Sequence, residues 1–336
     1  MEEIKDNKTN TVPQKKIKWS YSRLGCYKDC HFKYKLKYVD GNYPPPDSSA
    51  LEFGTAVHHA EEAIANCIKD NLPIDYIKIR NQFIIDCAKI DKKYNDWFIP
   101  DKDSGKTYEE KKYFYLDYGI YRLEKYMKAH PNLKIVGAEV PINFLYKDIE
   151  TKQFTGSIDR LLFNTETNTY VIQDIKTWPI MEPKHSDERK TPVQLAIYSV
   201  ALAKEKNIDP YSIKCQYDLP LVDGVFDAGT IDYIERAQDI VDKAFDGIEK
   251  CDWHPTTSAL CAYCSFSSTN PNADAKYKFL CPYHSIWDRD LRLPNTAKAP
   301  FLAWGGMDKH EHNMQLYQGL LKVQNTSKEQ NTKGSE

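Results

Sequence analysis

No apolar run in this 336-residue sequence approaches the ~18 residues that a membrane-spanning helix needs, so no membrane partner is expected. The opening stretch, MEEIKDNKTNTVPQKK, is polar and lacks the apolar core of a secretory signal, which leads to the expectation of a cytoplasmic protein, in a host's cytoplasm if it is viral. Neither sign of charge is in excess. Lys and Arg number 46 against 48 Asp and Glu, a net charge of −2, so there is no global basic field of the kind that attracts nucleic acid. No internal repeat is present, which excludes solenoids and propellers. A disulfide framework is not expected of the nine cysteines in a cytosolic chain, so their spacing matters more than their number.

What is present suits an ordinary soluble globular protein: 41% of residues are hydrophobic and 28% charged. Residues 1–16 read as disordered. SYSRLGCYKDCHFKYKLKYVDG reads as a short helix ending near Gly41, and YPPPDSS as a rigid turn. In ALEFGTAVHHAEEAIANCIKDN the residues Ala56, Val57, Ala60, Ile64 and Ile68 keep helical spacing. Further helices fill 74–130, broken near WFIPDKDSGKT. Strands then follow in KIVGAEVPINFLY, KQFTGSIDRLLFN and TYVIQDIKTW. PIMEPKHSDERKTP reads as a polar loop, VQLAIYSVALAKEKN as a helix, YSIKCQYDLPLV as a strand, and 229–250 as a helix. The segment 251–287 reads as irregular, and the tail ending NTSKEQNTKGSE as mobile at its end. Helices, a strand hairpin, then helix and strand make an α/β chain of α+β character, with a helical insertion ahead of the sheet.

One local charge imbalance stands out. Residues 14–37 carry Lys15, Lys16, Lys18, Arg23, Lys28, Lys33, Lys35 and Lys37 against Asp29 alone, with Trp19, Tyr21, Tyr27, Phe32 and Tyr34 among them. Cations interleaved with aromatics suit a groove that follows a phosphate backbone and stacks bases. A solvated helix face with aromatic anchors into the core gives the same pattern.

The hairpin is the most informative stretch. Asp174 and Lys176 in TYVIQDIKTW alternate with Val171, Ile172 and Ile175, which read as core, and so share one face of a strand. The preceding strand holds Asp159. If the turn is centred on NTETN, residue 163 pairs with 170, 161 with 172 and 159 with 174, and a slip of one residue would break the arrangement. In that register two carboxylates face each other at a Cβ separation of ~4.5–5.5 Å. They repel, and a divalent cation held by oxygen ligands removes the repulsion. Such a cation can activate water and offset charge on a phosphate, with the nearby lysine steadying the transition state. A surface hairpin in which Asp174 pairs with Lys176 or Arg160 is the plainer alternative.

Several motifs, in order, resemble the PD-(D/E)XK nuclease superfamily, most closely its branch of RecB and AddB nuclease domains and CRISPR-associated iron–sulfur exonucleases. SYSRLGCYKDC is similar to the branch's S-x-S-x-L-x-x-Y-x-x-C, with Ser20, Ser22, Leu24, Tyr27 and Cys30. GTAVHHAEE resembles G-x-x-x-H-x-x-x-E, giving Gly54, His58 and Glu62. GAEVPI is similar to the strand that carries a glutamate, here Glu139. TGSIDRLLF, IQDIKTW and QLAIYSVAL resemble the T-G-x-x-D-R, D-x-K-T and Q-x-x-x-Y segments. The resemblance implies a restriction-endonuclease-like core, a mixed central sheet flanked by helices. It implies that His58, Asp159, Asp174 and the carbonyl of Ile175 hold Mg²⁺ or Mn²⁺, with Glu139 as a further ligand. Lys176 would be the catalytic lysine, oriented with the DNA by Gln194 and Tyr198. His59 lies ~100° round the helix from His58 and is expected to face elsewhere. Arg23, Lys28, Lys33 and Arg160 are the expected DNA contacts.

The resemblance also gives the cysteines a role. Cys261 and Cys264 form C-x2-C, and with Cys30 and Cys281 they would hold a [4Fe–4S] cluster, although a thiolate tetrad suits Zn²⁺ equally on chemical grounds. The branch's last two cysteines usually lie a few residues apart; here SFSSTNPNADAKYKFL separates them. Cys26 and Cys251 match no motif position, and Cys67, Cys87 and Cys215 read as core thiols. The implied organisation is a nuclease domain over 17–290, with the helical insertion at about 60–130, the catalytic core at about 134–250 and the cysteine segment 251–285 closing onto Cys30. Residues 291–336 form a C-terminal extension.

The function implied is a Mg²⁺- or Mn²⁺-dependent deoxyribonuclease, an exonuclease acting on single strands or duplex ends in recombination, repair or phage DNA processing. A catalytically silent DNA-binding clamp and an RNA-directed nuclease are the alternatives. No G-x-x-x-x-G-K-[ST] sequence occurs, so a helicase or recombination partner would be a separate chain.

Overall fold

The computed structural model describes residues 18–46, 49–94, 105–177, 191–229, 231–257, 259–270 and 272–283. The expected disordered N-terminus, the C-terminal extension and the polar loop after Trp178 lie outside the described residues, as does much of the expected helix break near residue 100.

A six-stranded mixed sheet organises the chain. Strand β1 is Lys18–Trp19, β2 Leu133–Leu145, β3 Gln153–Asn164, β4 Thr169–Ile175, β5 Lys214–Leu219 and β6 Gly224–Ala228. Successive strands pair from β2 through β6, antiparallel except for the parallel β4–β5 pair, and β1 runs parallel to the start of β3. A parallel pair needs a crossover, supplied here by the helix Val193–Lys206.

The helices follow the sequence pattern closely. α1 is Tyr21–Asp29, α2 His31–Tyr34, α3 Ser49–Lys69, α4 Tyr76–Lys93, α5 Tyr108–Asp117, α6 Arg122–Ala129, α7 Val193–Lys206 and α8 Tyr233–Glu249. In α3 the buried residues Phe53, Val57, Ala60 and Ile64 recur at three- and four-residue steps, the stripe that turns a helix against a sheet. α5 starts at a capping box: Glu110 N–H donates to Thr107 Oγ1, and Glu110 accepts from Thr107 N–H at 2.7 Å.

Leu161 and Ile172 pack with α7 and α8, whereas their neighbours Leu162 and Val171 pack with α3 and α4. Adjacent strand residues point to opposite faces, so the sheet carries one apolar layer on each side. Each fully buried side chain of this kind contributes ~1.5–3 kcal/mol.

Three expectations are corrected. The helix expected to run unbroken to Gly41 is interrupted at Cys30, which is extended (φ −164°, ψ 116°) and caps α2 by accepting Lys33 N–H at its Sγ. α2 then runs into a wider π-type turn over Lys35–Val39. β1 and β6 are strands where the sequence suggested none: β1 has only two residues, and β6 has residues of mixed polarity after a tight turn.

The N-terminal segment is fastened to the rest. Trp19 Nε1 donates to Thr151 O at 3.2 Å and its ring meets Phe245 edge-on at 4.7 Å. Tyr27 lies against α8 where Gly247 leaves room; a Cβ there would overlap the Tyr27 hydroxyl, which donates to Asp252 O at 3.1 Å. Gly247→Ala is therefore expected to destabilise the protein by ~1–3 kcal/mol through overpacking, despite the better helix propensity of alanine. Urea unfolding measures it, and Tyr27→Phe in the same background should recover part of the loss.

Candidate active site

The β3–β4 register runs Phe163↔Tyr170, Leu161↔Ile172 and Arg160↔Gln173. The next step sets Asp159 opposite Asp174, as the turn at NTETN implied, and Ile175 N–H donates to Asp159 Oδ2 at 2.7 Å. On β2, Ala138 pairs with Arg160 and Val140 with Ile158, so Glu139 comes opposite Asp159. Glu139 has a left-handed backbone (φ 48°), which for a residue other than glycine costs ~1 kcal/mol or more. Three acids thus lie in a row across β2, β3 and β4.

α3 brings His58 to the end of β4. Its Nε2 is 3.0 Å from the carbonyl oxygen of Ile175, and its Nδ1 is 3.8 Å from Asp159 Oδ1 and 3.9 Å from Glu139 Oε1. One ligand atom from each of His58, Glu139 and Asp159 falls within a 4.8 Å group. His59 turns away as expected: it is 60% exposed and pairs with Asp86 at 3.8 Å.

From the other face, α7 supports Lys176. Lys176 Nζ donates to Asp174 Oδ1 at 3.0 Å and to Gln194 Oε1 at 3.3 Å, and Gln194 Nε2 donates to the Tyr198 hydroxyl at 3.2 Å. The Tyr198 ring crosses β3 at Gly156, where a Cβ would lie 3.1 Å from its hydroxyl oxygen. The glycine of the T-G-x-x-D-R segment thus makes room for the Q-x-x-x-Y tyrosine.

Burial, and next the Asp174 charge, push the Asp159 carboxyl up to about 7. Burial draws His58 down, but hydrogen bonding to Glu139 and the charge of Asp159 outweigh it, so His58 stands above the usual imidazole value. The bond to His58 lowers Glu139. Burial pulls Lys176 down and Asp174 more than reverses it, so Lys176 remains an ammonium. Asp174 Oδ2 lies 2.8 Å from Lys176 Nζ yet is buried without a directed hydrogen bond. Carboxylates, a backbone carbonyl and an imidazole with an unsatisfied buried oxygen fit a hard divalent cation.

Arg160, expected at DNA, is only 1% exposed, enclosed between Glu61 and Asp218. A guanidinium held under a helix by two carboxylates has no path to a phosphate backbone. Arg23 lies over the rings of Trp19, Tyr34 and Tyr38 at 5.0, 5.7 and 4.5 Å. Lys28 is exposed. Lys33 faces the thiols: burial lowers it and Cys264, then Cys26, more than compensate. Tyr21 went unnoticed as a site residue in the sequence, yet it stands close enough to raise Lys176 electrostatically. Its place among the aromatics of the basic segment, between two motif serines, was the available signal. The helix motif pointed to Glu62, but the buried acid is its neighbour Glu61.

Cys30, Cys261, Cys264 and Cys281 line one cavity of about 140 Å³, together with Lys33. Lys33 N–H and Thr256 N–H donate to Cys30 Sγ at 3.4 and 3.3 Å, and the backbone N–H groups of Phe266 and Tyr283 donate to Cys264 and Cys281. The long spacer folds as consecutive turns that return Cys281 to the cavity, its N–H donating to Phe266 O at 3.1 Å. Burial raises the Cys264 and Cys281 thiols, a cost that a bound cation would reverse. Among the described residues no three of these sulfurs come within 4.8 Å of one another, whereas a single zinc with ~2.3 Å bonds holds its sulfurs ~3.8 Å apart.

A family model described as the PD-(D/E)XK nuclease superfamily matches residues 18–269, most of the chain. No curated protein matches.

The shifts set a pH dependence. Asp159 keeps its proton to about 7 in the fold but loses it near 3.8 in the open chain, so its contribution to stability falls as pH rises between those values. His58, raised in the fold, contributes stability that is likewise lost as pH rises through its folded value. Metal-free protein should lose on the order of a few kcal/mol across this window, and Asp159→Asn should flatten the slope. A divalent cation bound by these ligands would displace both protons. Its affinity should climb with pH to about 7, and calorimetry in two buffers of different ionisation enthalpy should detect proton release. Affinity that is flat from about pH 5 to about pH 8 would refute the assignment of these ligands.

Proposed function

The chain belongs to the PD-(D/E)XK nuclease superfamily, and on that premise we propose that it is a Mg²⁺- or Mn²⁺-dependent DNA nuclease, an exonuclease for single strands or duplex ends in recombination, repair or phage DNA processing. The observation that carries this reading is the convergence of Glu139, Asp159 and Asp174 with His58 and Lys176 at the end of β4.

Asp159, Asp174, Glu139, the Ile175 carbonyl and a neutral His58 would hold the cation, which when bound supplies an activated water and a counter-charge for the phosphate. Lys176 stays charged, so its work is to steady negative charge developing on the scissile phosphate, not to take a proton. Gln194 and Tyr198 hold its Nζ against Asp174, which keeps the ammonium aimed at that point. Half-buried Tyr21 stands close enough to Lys176 to act on its charge and would suit contact with the substrate strand. DNA as the substrate is supported by the basic, aromatic segment that leads into α1.

For the cysteine cavity we propose a [4Fe–4S] cluster in preference to Zn²⁺. The cavity that the four cysteines line together and the backbone N–H groups directed at three of their sulfurs suit an iron–sulfur group. Its task would be structural, joining Cys30 to the C-terminal segment.

Labelled DNA incubated with Mg²⁺ or Mn²⁺ tests the first reading. Asp174→Ala and Lys176→Ala should each reduce cleavage by ~100-fold or more while leaving the fold intact by circular dichroism. Undiminished cleavage by both variants would sink it. Equal activity on RNA in competition would remove the DNA preference. Anaerobically purified protein should be brown; colourless protein with stoichiometric zinc would decide for Zn²⁺.

A further inference from the structure

Beneath α3, on the sheet face opposite Lys176, lies a charged network with no role in holding the cation. Arg160 Nη2 lies 2.6 Å from Glu61 Oε2, and its Nη1 lies 2.5 Å from Asp218 Oδ2 and 3.0 Å from Gln173 Oε1. Arg122 of α6 closes on the other Asp218 oxygen, and the Tyr115 hydroxyl donates to Glu61 at 2.9 Å. Glu61, Arg160 and Asp218 are each 1% exposed and Arg122 6%. Two arginines and two acids cancel in formal charge.

Stability is a poor reason for such a network, because an apolar cluster of equal volume serves a core as well or better. Direction is what it adds. The apolar stripe of α3 grips the sheet without fixing how far the helix slides along it. A guanidinium fork has fixed geometry, and its bonds strengthen where water is excluded. Each arm ends beside a site group. Glu61 lies one turn beyond His58 on α3, Arg160 follows Asp159 on β3, and the Asp218 carbonyl accepts Lys176 N–H at 2.9 Å.

We propose that the Glu61–Arg160–Asp218–Arg122 network is the frame that positions the cation ligands, with Glu61 and Arg160 as positioning residues that fix where His58 meets Asp159 and the Ile175 carbonyl. The proposal rests on the reading of that site as a metal-dependent nuclease centre.

The test is the paired replacement Glu61→Leu with Arg160→Met, which removes one acid and one base together, and with them the Glu61–Arg160 and Arg160–Asp218 contacts, and leaves Arg122 with Asp218. Two measurements are made on full-length protein: Mn²⁺ affinity by calorimetry, and the His58 position in crystals of wild type and variant. The variant should melt within a few degrees of wild type, bind Mn²⁺ ~10-fold or more weakly, and show His58 displaced from its 3.0 Å contact with Ile175 O. Wild-type Mn²⁺ affinity with His58 in place would overturn the proposal, since a merely structural role predicts that restored stability restores the site. If the paired variant does not fold, Glu61→Asp decides by the same two measurements: it keeps the charge and shortens the arm by one methylene. Wild-type protein that binds no Mn²⁺ would overturn the nuclease reading instead, and the crystal comparison alone would then judge the frame.

Discussion

Asp159 and Asp174 face each other across one strand pair, and much of the surrounding structure answers the cost of that juxtaposition. Ile175 N–H donates to one acid and Lys176 pairs with the other. His58 leans toward the first from a separate helix and is raised in its affinity for a proton. Burial, and next the Asp174 charge, still push the Asp159 carboxyl up to about 7. A carboxyl row held this close, with Glu139 added through a strained backbone, fits a divalent cation as counter-charge.

The sheet allows this because its two faces do different work at the same strand end. On the α7 face, Gln194 and Tyr198 fix the lysine, and Gly156 lets the tyrosine lie close against β3. On the α3 face, a helix reaches past the end of β4 to present His58 at the carbonyl of Ile175. Neither face could build the site alone: the strand alternates, so acids and lysine face α7 while Ile175 itself packs toward α3. The site sits where the two layers meet beyond the last strand residue.

How much of this was legible in sequence follows from the range of each interaction. The hairpin register depended on the turn between two strands of clear alternation, and it was readable. So was the contrast of His58 and His59, which differ only by a helical rotation. Arg160 was misjudged because its partners, Glu61 and Asp218, are far off in sequence and meet it only in three dimensions. Glu61 and Glu62 are adjacent acids that periodicity alone separates poorly, and the motif favoured the half-buried one. The break at Cys30 was invisible because an extended residue between two helices leaves no proline or glycine signal, only a thiol acting as a cap.

The basic, aromatic N-terminal segment changes meaning most. Read as a sequence, it suited either a groove that follows a phosphate backbone or a solvated helix face with aromatic anchors into the core. In the fold, Trp19, Tyr27 and Tyr34 are core, Arg23 is held among three rings, Lys33 faces the cysteines and Lys35 pairs with Asp40 at 2.8 Å. Lys18 and Lys28 remain turned outward. The segment therefore works first as a tie between the two ends of the folded region, through Trp19 on Phe245, Tyr27 on Gly247 and Cys30 on Thr256. Closing so long a loop costs chain entropy, so several small contacts act together where one would not suffice, and a group bound by the thiolates would add to them. The same tie places Tyr21 beside Lys176. What the segment would offer a nucleic acid is thus a few outward groups on a rigid mount.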